Sequence, residues 1–79
     1  MKILNVPIKV MAIFNNDGKI VPVKFRMDDQ VVNIQKVLKV YEEKVAGYSR
    51  LIFVCQHNNC DIYELKYEVE NNIWYLYKK

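Results

Sequence analysis

The sequence predicts an all-β domain: a small six-stranded antiparallel meander that forms a bent sheet or a barrel, SH3-like or OB-like in scale. Three observations carry the prediction. Val and Ile number nineteen and aromatic residues ten, against five Leu and two Ala, and branched and aromatic side chains suit a pleated, half-buried surface while losing rotamer freedom in a helix. Six of the eight asparagines stand in adjacent pairs, each between two apolar runs. Asn enters the left-handed backbone region readily, so each pair reads as a hairpin turn in a chain that has only two glycines. Finally, two hairpin registers worked out separately place their apolar residues on one common face.

The first strand runs from Ile8 to Phe14 and returns through Asn15-Asn16-Asp17-Gly18, a type I turn closed by Gly18 in the left-handed conformation, into Lys19 to Met27. Pairing Asn15 with Lys19 sets Ile13 opposite Val21 and Met11 opposite Val23. Asp28-Asp29 makes the next tight turn, and pairing Met27 with Gln30 sets Phe25 opposite Val32 and Val23 opposite Ile34. The expected inward set is therefore Met11, Ile13, Val21, Val23, Phe25, Val32 and Ile34.

Beyond Ile34 the alternation meets Lys36 and resumes at Leu38 and Val40, which predicts a bend or bulge near Gln35 to Lys36. The same stretch also fits helical spacing through Val31, Ile34, Leu38, Tyr41 and Val45, with Asp29 as N-cap and Gly47 beyond the end. Five valines favour a strand over 31–45, with room for one short helical turn near 40–46. Arg50 to Gln56 and Asp61 to Val69 form a hairpin around Asn58-Asn59, and pairing His57 with Cys60 puts Ile52, Val54, Tyr63, Leu65 and Tyr67 on one face. Asn71-Asn72 leads into Ile73 to Lys78, where Trp74 and Leu76 oppose Tyr75 and Tyr77.

At 79 residues the chain is long enough for a single domain, 1–79, in which folding hides only about 60% of the unfolded surface. A hydrophobic fraction of 52% argues against disorder. No apolar run approaches the roughly 18 to 20 residues of a helical membrane span, and Met1 to Val6 is too short and too weakly basic for a signal peptide. The expectation is a soluble cytoplasmic domain with no membrane association.

The chain holds little that could carry catalysis. It has one histidine, one serine and no threonine, and its two glycines stand alone, so no phosphate-cradling loop can be built. Cys55, His57, Cys60 and Asp61 form one cluster of metal-ligand types, but a structural zinc site takes four ligands, usually as two spaced pairs, and no second pair exists. A nucleophile next to a turn, with no oriented base and no oxyanion donors, is no catalytic site. Neither enzymatic activity nor a metal or cofactor is expected.

Two surfaces are candidates for binding. Twelve Lys and Arg against nine acids give a net charge of +3, a mild bias toward anionic partners. Lys24 and Arg26 lie opposite the expected inward face, with Lys36 and Lys39 further along and Tyr41 nearby, the mixture of cations and aromatics that single-stranded nucleic acid uses. Strands one and two are also apolar on their second face, at Ile8, Val10, Ala12, Phe14, Ile20 and Pro22. A half-buried antiparallel sheet should be polar there. The cover is either the segment with Ile3, Leu4 and Val6, a later strand wrapping round, or another protein molecule.

The stretches Ile13-Phe14-Asn15-Asn16-Asp17-Gly18-Lys19-Ile20, Pro22-Val23-Lys24-Phe25-Arg26, Lys36-Val37-Leu38, Tyr63-Glu64-Leu65-Lys66-Tyr67-Glu68 and Trp74-Tyr75-Leu76 are similar to a family of short uncharacterised all-β proteins of Firmicutes, clostridia in particular. The likeness covers nearly the whole chain, rests on turn and core residues, and includes no catalytic motif. It implies the fold and leaves activity open. A looser resemblance to a small basic domain that accompanies DNA-repair polymerases adds weight to nucleic acid as a partner. Together these readings predict a non-enzymatic binding module acting by protein contact or self-association through Val10, Ala12, Phe14, Ile20 and Pro22. The alternative is a module for single-stranded DNA or RNA using Lys24, Arg26, Lys36, Lys39 and Tyr41.

Overall fold

Seven antiparallel strands make a single sheet in the order β3-β2-β1-β7-β6-β5-β4. The structure is a computed structural model that describes residues 2–58 and 61–79. Its strands are β1 (Ile3–Phe14), β2 (Ile20–Met27), β3 (Gln30–Asn33), β4 (Lys36–Val45), β5 (Tyr48–His57), β6 (Asp61–Glu68) and β7 (Ile73–Lys78). Among the described residues no helix is long and apolar enough to cross a membrane. The order is that of an up-and-down barrel closed between the first and last strands, β1 against β7, and cut between β3 and β4. The long third strand of the six-strand expectation is really two, β3 and β4, separated at Ile34-Gln35 where the bend was predicted. No helical turn forms near 40–46: β4 continues to Val45, and Ala46 and Gly47 make a two-residue turn with φ of 52° and 83°, a backbone sign that a right-handed helix excludes.

Turn chemistry follows the sequence closely. Asn15 donates its N–H to the Lys19 carbonyl at 2.8 Å and Gly18 donates to the Asn15 carbonyl at 3.0 Å, with Gly18 at φ 87°. Met27 pairs with Gln30. Asn58 and Asn72 take φ of 58° and 59°. Asp28 takes φ 55°, and Ala46, at φ 52°, enters the left-handed region without an Asn or Asp side chain.

Two registers depart from expectation, and both departures reverse a face. In β1–β2, Ile13 pairs with Val21 as predicted, but a bulge follows: Ala12 pairs with Pro22 and Met11 with Lys24, leaving Val23 as the extra residue. Pro22 and Phe25, three apart, are both buried. The inward residues of β1 are therefore Ile8, Val10 and Ala12, packed with Ile20 against the core, while Met11, Ile13 and Val21 are exposed. In β5–β6, His57 pairs with Asp61, which lengthens the loop by one residue over the predicted pairing with Cys60; Cys60 itself lies outside the described residues. That single step turns Leu51, Phe53 and Cys55 inward beside Tyr63, Leu65 and Tyr67, and puts Ile52 and Val54 on the opposite face, where Ile52 is nonetheless fully buried.

The core fills the concave side. Phe25 of β2 meets Tyr63 of β6 edge to face across the interior, centroids 5.4 Å apart, and Trp74 contacts Phe53 at 5.3 Å and Tyr67 at 4.8 Å. The later strands wrapping round are thus what chiefly covers the second apolar face of β1 and β2; the Ile3–Val6 segment extends β1 along β7, with Leu4 packed against the same core and Ile3 and Val6 exposed. Further register breaks, at Leu38 in β4 and at Tyr77 in β7, add local twist and bend that help curl one sheet around its own core.

Candidate functional site

The cut between β3 and β4 defines the first candidate surface. Two consecutive residues span it: Ile34 donates its N–H to the Val23 carbonyl of β2 at 2.9 Å, and Gln35 donates to the Gln56 carbonyl of β5 at 2.9 Å. The sheet ends are tied at this point. Away from it they diverge, because β3 pairs with β2 only from Lys24 to Met27 and, beyond the Ile34–Val23 bond, leaves Ile20–Pro22 without a strand neighbour on that side. On the opposite bank β4 has no partner beyond β5. Between the banks lies a cleft of about 520 Å³ lined by Ile20, Val21, Val37, Val40, Leu51 and Phe53, with Lys19 at one end and no acidic residue in its wall.

Backbone polarity distinguishes the two banks. Val45 and Tyr48 flank the two-residue turn and exchange hydrogen bonds, and alternation along the antiparallel ladder then turns the N–H and C=O of Lys44, Glu42 and Val40 away from β5. Ser49, opposite Lys44, fits this phase: its N–H goes to the Glu70 carboxylate at 3.0 Å and its carbonyl accepts from Val69. On β2, Pro22 has no N–H to offer. The β4 bank is therefore the one able to exchange a ladder of hydrogen bonds with another strand. Its exposed Lys36, Lys39 and Lys44 keep that free edge charged.

The outer face of β1–β3 is the second candidate. Lys9, Arg26 and Val31 form one cross-strand row, Met11, Lys24 and Asn33 the next, and Ile13 with Val21 a third. Met11, Ile13, Val21 and Val31 are between 40% and 56% exposed, an unusual concentration for an outer face. A shallow groove of about 520 Å³ runs over Lys9, Met11, Lys24, Arg26 and Val31.

The outer face of β4–β7 is by contrast saturated. Lys66, 3% exposed, donates to Asn5 Oδ1 at 2.6 Å, lies 3.5 Å from a Glu68 carboxylate oxygen and sits 4.5 Å from the Tyr75 ring centroid and 5.1 Å from that of Tyr77. Arg50 stacks over Tyr77 and pairs with Glu43 at 3.2 Å; Lys39 lies over Tyr41, whose hydroxyl reaches Glu64 at 3.5 Å. Burial, then the Glu64 and Glu43 carboxylates, push the Tyr41 hydroxyl above its ordinary pKa.

The five residues expected to face nucleic acid thus separate into two groups. Lys24 and Arg26 are on the outer face of β2, and Lys36, Lys39 and Tyr41 on β4, across the cut between the sheet ends. Of the five expected to face a partner, Val10, Ala12 and Ile20 pack on the core, Pro22 is buried, and Phe14 is 62% exposed, its ring set edge to face with Tyr67 at a centroid distance of 6.2 Å. The bulge at Val23 is why: it exchanges the inner and outer faces of β1, so the outward apolar residues are their neighbours Met11, Ile13 and Val21. Ile20 also reaches the cleft wall.

Around the β5–β6 turn, Cys55 is buried, and desolvation pushes its thiol up to about 12. His57 Nδ1 lies 2.7 Å from the Asn33 carbonyl, so one ring nitrogen is already engaged. No group of three metal-ligand side chains occurs among the described residues. The cleft and the Lys66 cluster escaped the sequence reading: both depend on which strands become neighbours, although the pairing of Lys66 with Tyr75 could have been found from the β6–β7 hairpin register. Comparison of the chain with protein families, with curated proteins and with solved structures yields no match.

Proposed function

We propose that this chain is a non-enzymatic binding module that holds a partner protein by accepting an extended segment of it into the cleft between β2 and β4. One observation carries the reading: two unpaired strand edges face each other across an apolar floor, with the outward N–H and C=O groups of Val40, Glu42 and Lys44 on one bank. An added strand gains main-chain hydrogen bonds from such an edge, while alternate side chains enter the floor and supply selectivity. The occupant this favours is a short strand with apolar residues at every second position, which would bury against Val37, Leu51 and Phe53.

The test is selection of displayed random peptides on the immobilised chain, followed by affinity measurement on Glu42→Pro. Proline removes one outward N–H on an edge where its ring is tolerated. Selected sequences with alternating apolar residues, and roughly tenfold weaker binding to the variant, about 1.4 kcal/mol, are the expected result. Peptides that bind the variant as well as the parent chain would refute the proposal.

A further inference from the structure

Away from the cleft, we infer that the outer face of β1–β3 is a docking surface for an acidic polypeptide segment bearing large apolar side chains. Lys9, Lys24 and Arg26 project from adjacent rows of this face, and no acid stands in any of the three rows. Among the described residues none of these cations forms an ion pair. Adjacent strands lie about 4.8 Å apart and alternate residues along a strand about 6.8 Å. Arg26 is therefore one strand spacing from Lys9 and one alternate-residue step from Lys24, close enough for neighbouring carboxylates of a single chain to meet all three.

The apolar component selects between anionic polymers. Met11, Ile13, Val21 and Val31 are aliphatic, and the one aromatic residue near the groove, Phe25, is turned into the core at 2% exposure. Nucleic-acid bases gain their sequence-tolerant affinity by stacking on exposed rings, and this face offers none. Leucine- or phenylalanine-bearing acidic polypeptide satisfies both components, burying aliphatic surface while its carboxylates neutralise the cations.

Fluorescence anisotropy with a labelled peptide of alternating Asp-Asp and Leu-Leu pairs provides the test, with an Asp-Ser peptide of equal charge and single-stranded oligothymidylate as comparators. The Asp-Leu peptide is expected to bind at low salt, to bind more tightly than the Asp-Ser peptide, and to lose about tenfold or more in affinity with Lys24→Glu/Arg26→Glu and with Lys9→Glu. All three positions are on the outer face of strands whose core contacts they do not share, so folding is retained. Met11→Ser should weaken the Asp-Leu peptide and leave the Asp-Ser peptide unchanged. Glu42→Pro should leave both unchanged, which separates this surface from the cleft; loss of peptide binding in that variant would move the site to the cleft and overturn the inference. It is also overturned by absence of Asp-Leu peptide binding at low salt, by charge-reversed variants that bind as the parent chain does, or by oligothymidylate binding more tightly than the peptide.

Discussion

Lys66 donates a 2.6 Å hydrogen bond to the side chain of Asn5, sixty-one positions away, and Asn5 is itself held at φ 54°. This contact fastens the first strand to the sixth over the top of the seventh. The ammonium is buried between Tyr75 and Tyr77, so removing its acceptor leaves a charge with too few partners. Asn5→Gly keeps the left-handed backbone accessible and deletes only the amide, and is expected to cost about 1–3 kcal/mol in urea denaturation. Asn5→Ala should cost about 1 kcal/mol more, the penalty of a Cβ in that conformation. Lys66→Met, which removes the charge and keeps the stem, is expected to be milder than Asn5→Gly.

The exchange of faces in β1 is directly measurable. Val10→Ser should destabilise the fold by about 2–3 kcal/mol, since it places a hydroxyl against the core. Met11→Ser, on a residue 56% exposed, should stay within about 0.5 kcal/mol. Equilibrium unfolding of the two variants gives the answer, and the opposite ranking would restore the unbulged register.

At the β4–β5 turn, Ala46 has φ 52° and Gly47 φ 83°, and a Cβ added to Gly47 would meet nothing within 4 Å. The cost of Gly47→Ala is therefore backbone strain alone, about 1–2 kcal/mol. Ala46→Gly or Ala46→Asn should raise the melting temperature, because both residues enter this region more easily than alanine. Thermal scans of the three variants check both signs.

The Cys55 thiol, pushed up to about 12 by burial, stays protonated at neutral pH. In a Cys60→Ser background, so that a single thiol is read, Cys55 should react with a thiol-specific disulfide reagent at the rate of unfolding, and at full speed in urea. Linkage has a definite sign here. The native state keeps its proton after an unfolded thiol has lost it, so native protons exceed unfolded ones between about pH 9 and 12 and stability falls as pH rises through that window. Tyr41 and Tyr63, both raised chiefly by burial, act in the same direction. Denaturation midpoints should be level from neutrality to about pH 9 and decline above it; a midpoint that rises into the alkaline range would contradict this burial.

What the sequence conveyed, and what it withheld, divides along one physical line. Turn positions are local: Asn15 to Gly18, Asp28-Asp29 and Asn71-Asn72 carry their own backbone preferences, and the chain reverses at each. Faces are not local. A strand face inverts with each residue inserted, and one bulge at Val23 and one additional loop residue before Asp61 each inverted a strand. Pro22 next to Val23 was the available sign of the first, since a proline in a paired strand favours an edge or a bulge. The apolar second face of β1 and β2 was evident in composition alone, yet which of its two sides met the core required the bulge. The cleft had no sequence sign, because it is made by strands that fail to pair.

Lys2 and Lys79 exchange two backbone hydrogen bonds, at 3.0 and 3.1 Å, so the two ends of the described chain are already adjacent. Read from β4 onward, through that junction and on to β3, the sheet is a plain sequence of neighbours with each strand beside the one before it. A circular permutant joined between Lys79 and Lys2 and opened at Gln35 would therefore convert the β1–β7 pairing, which the present chain must close across nearly its whole length, into an ordinary hairpin. Lower contact order should speed its folding. The same cut would release the tether that holds the two banks of the cleft together, making the molecule quicker to form and freer to open.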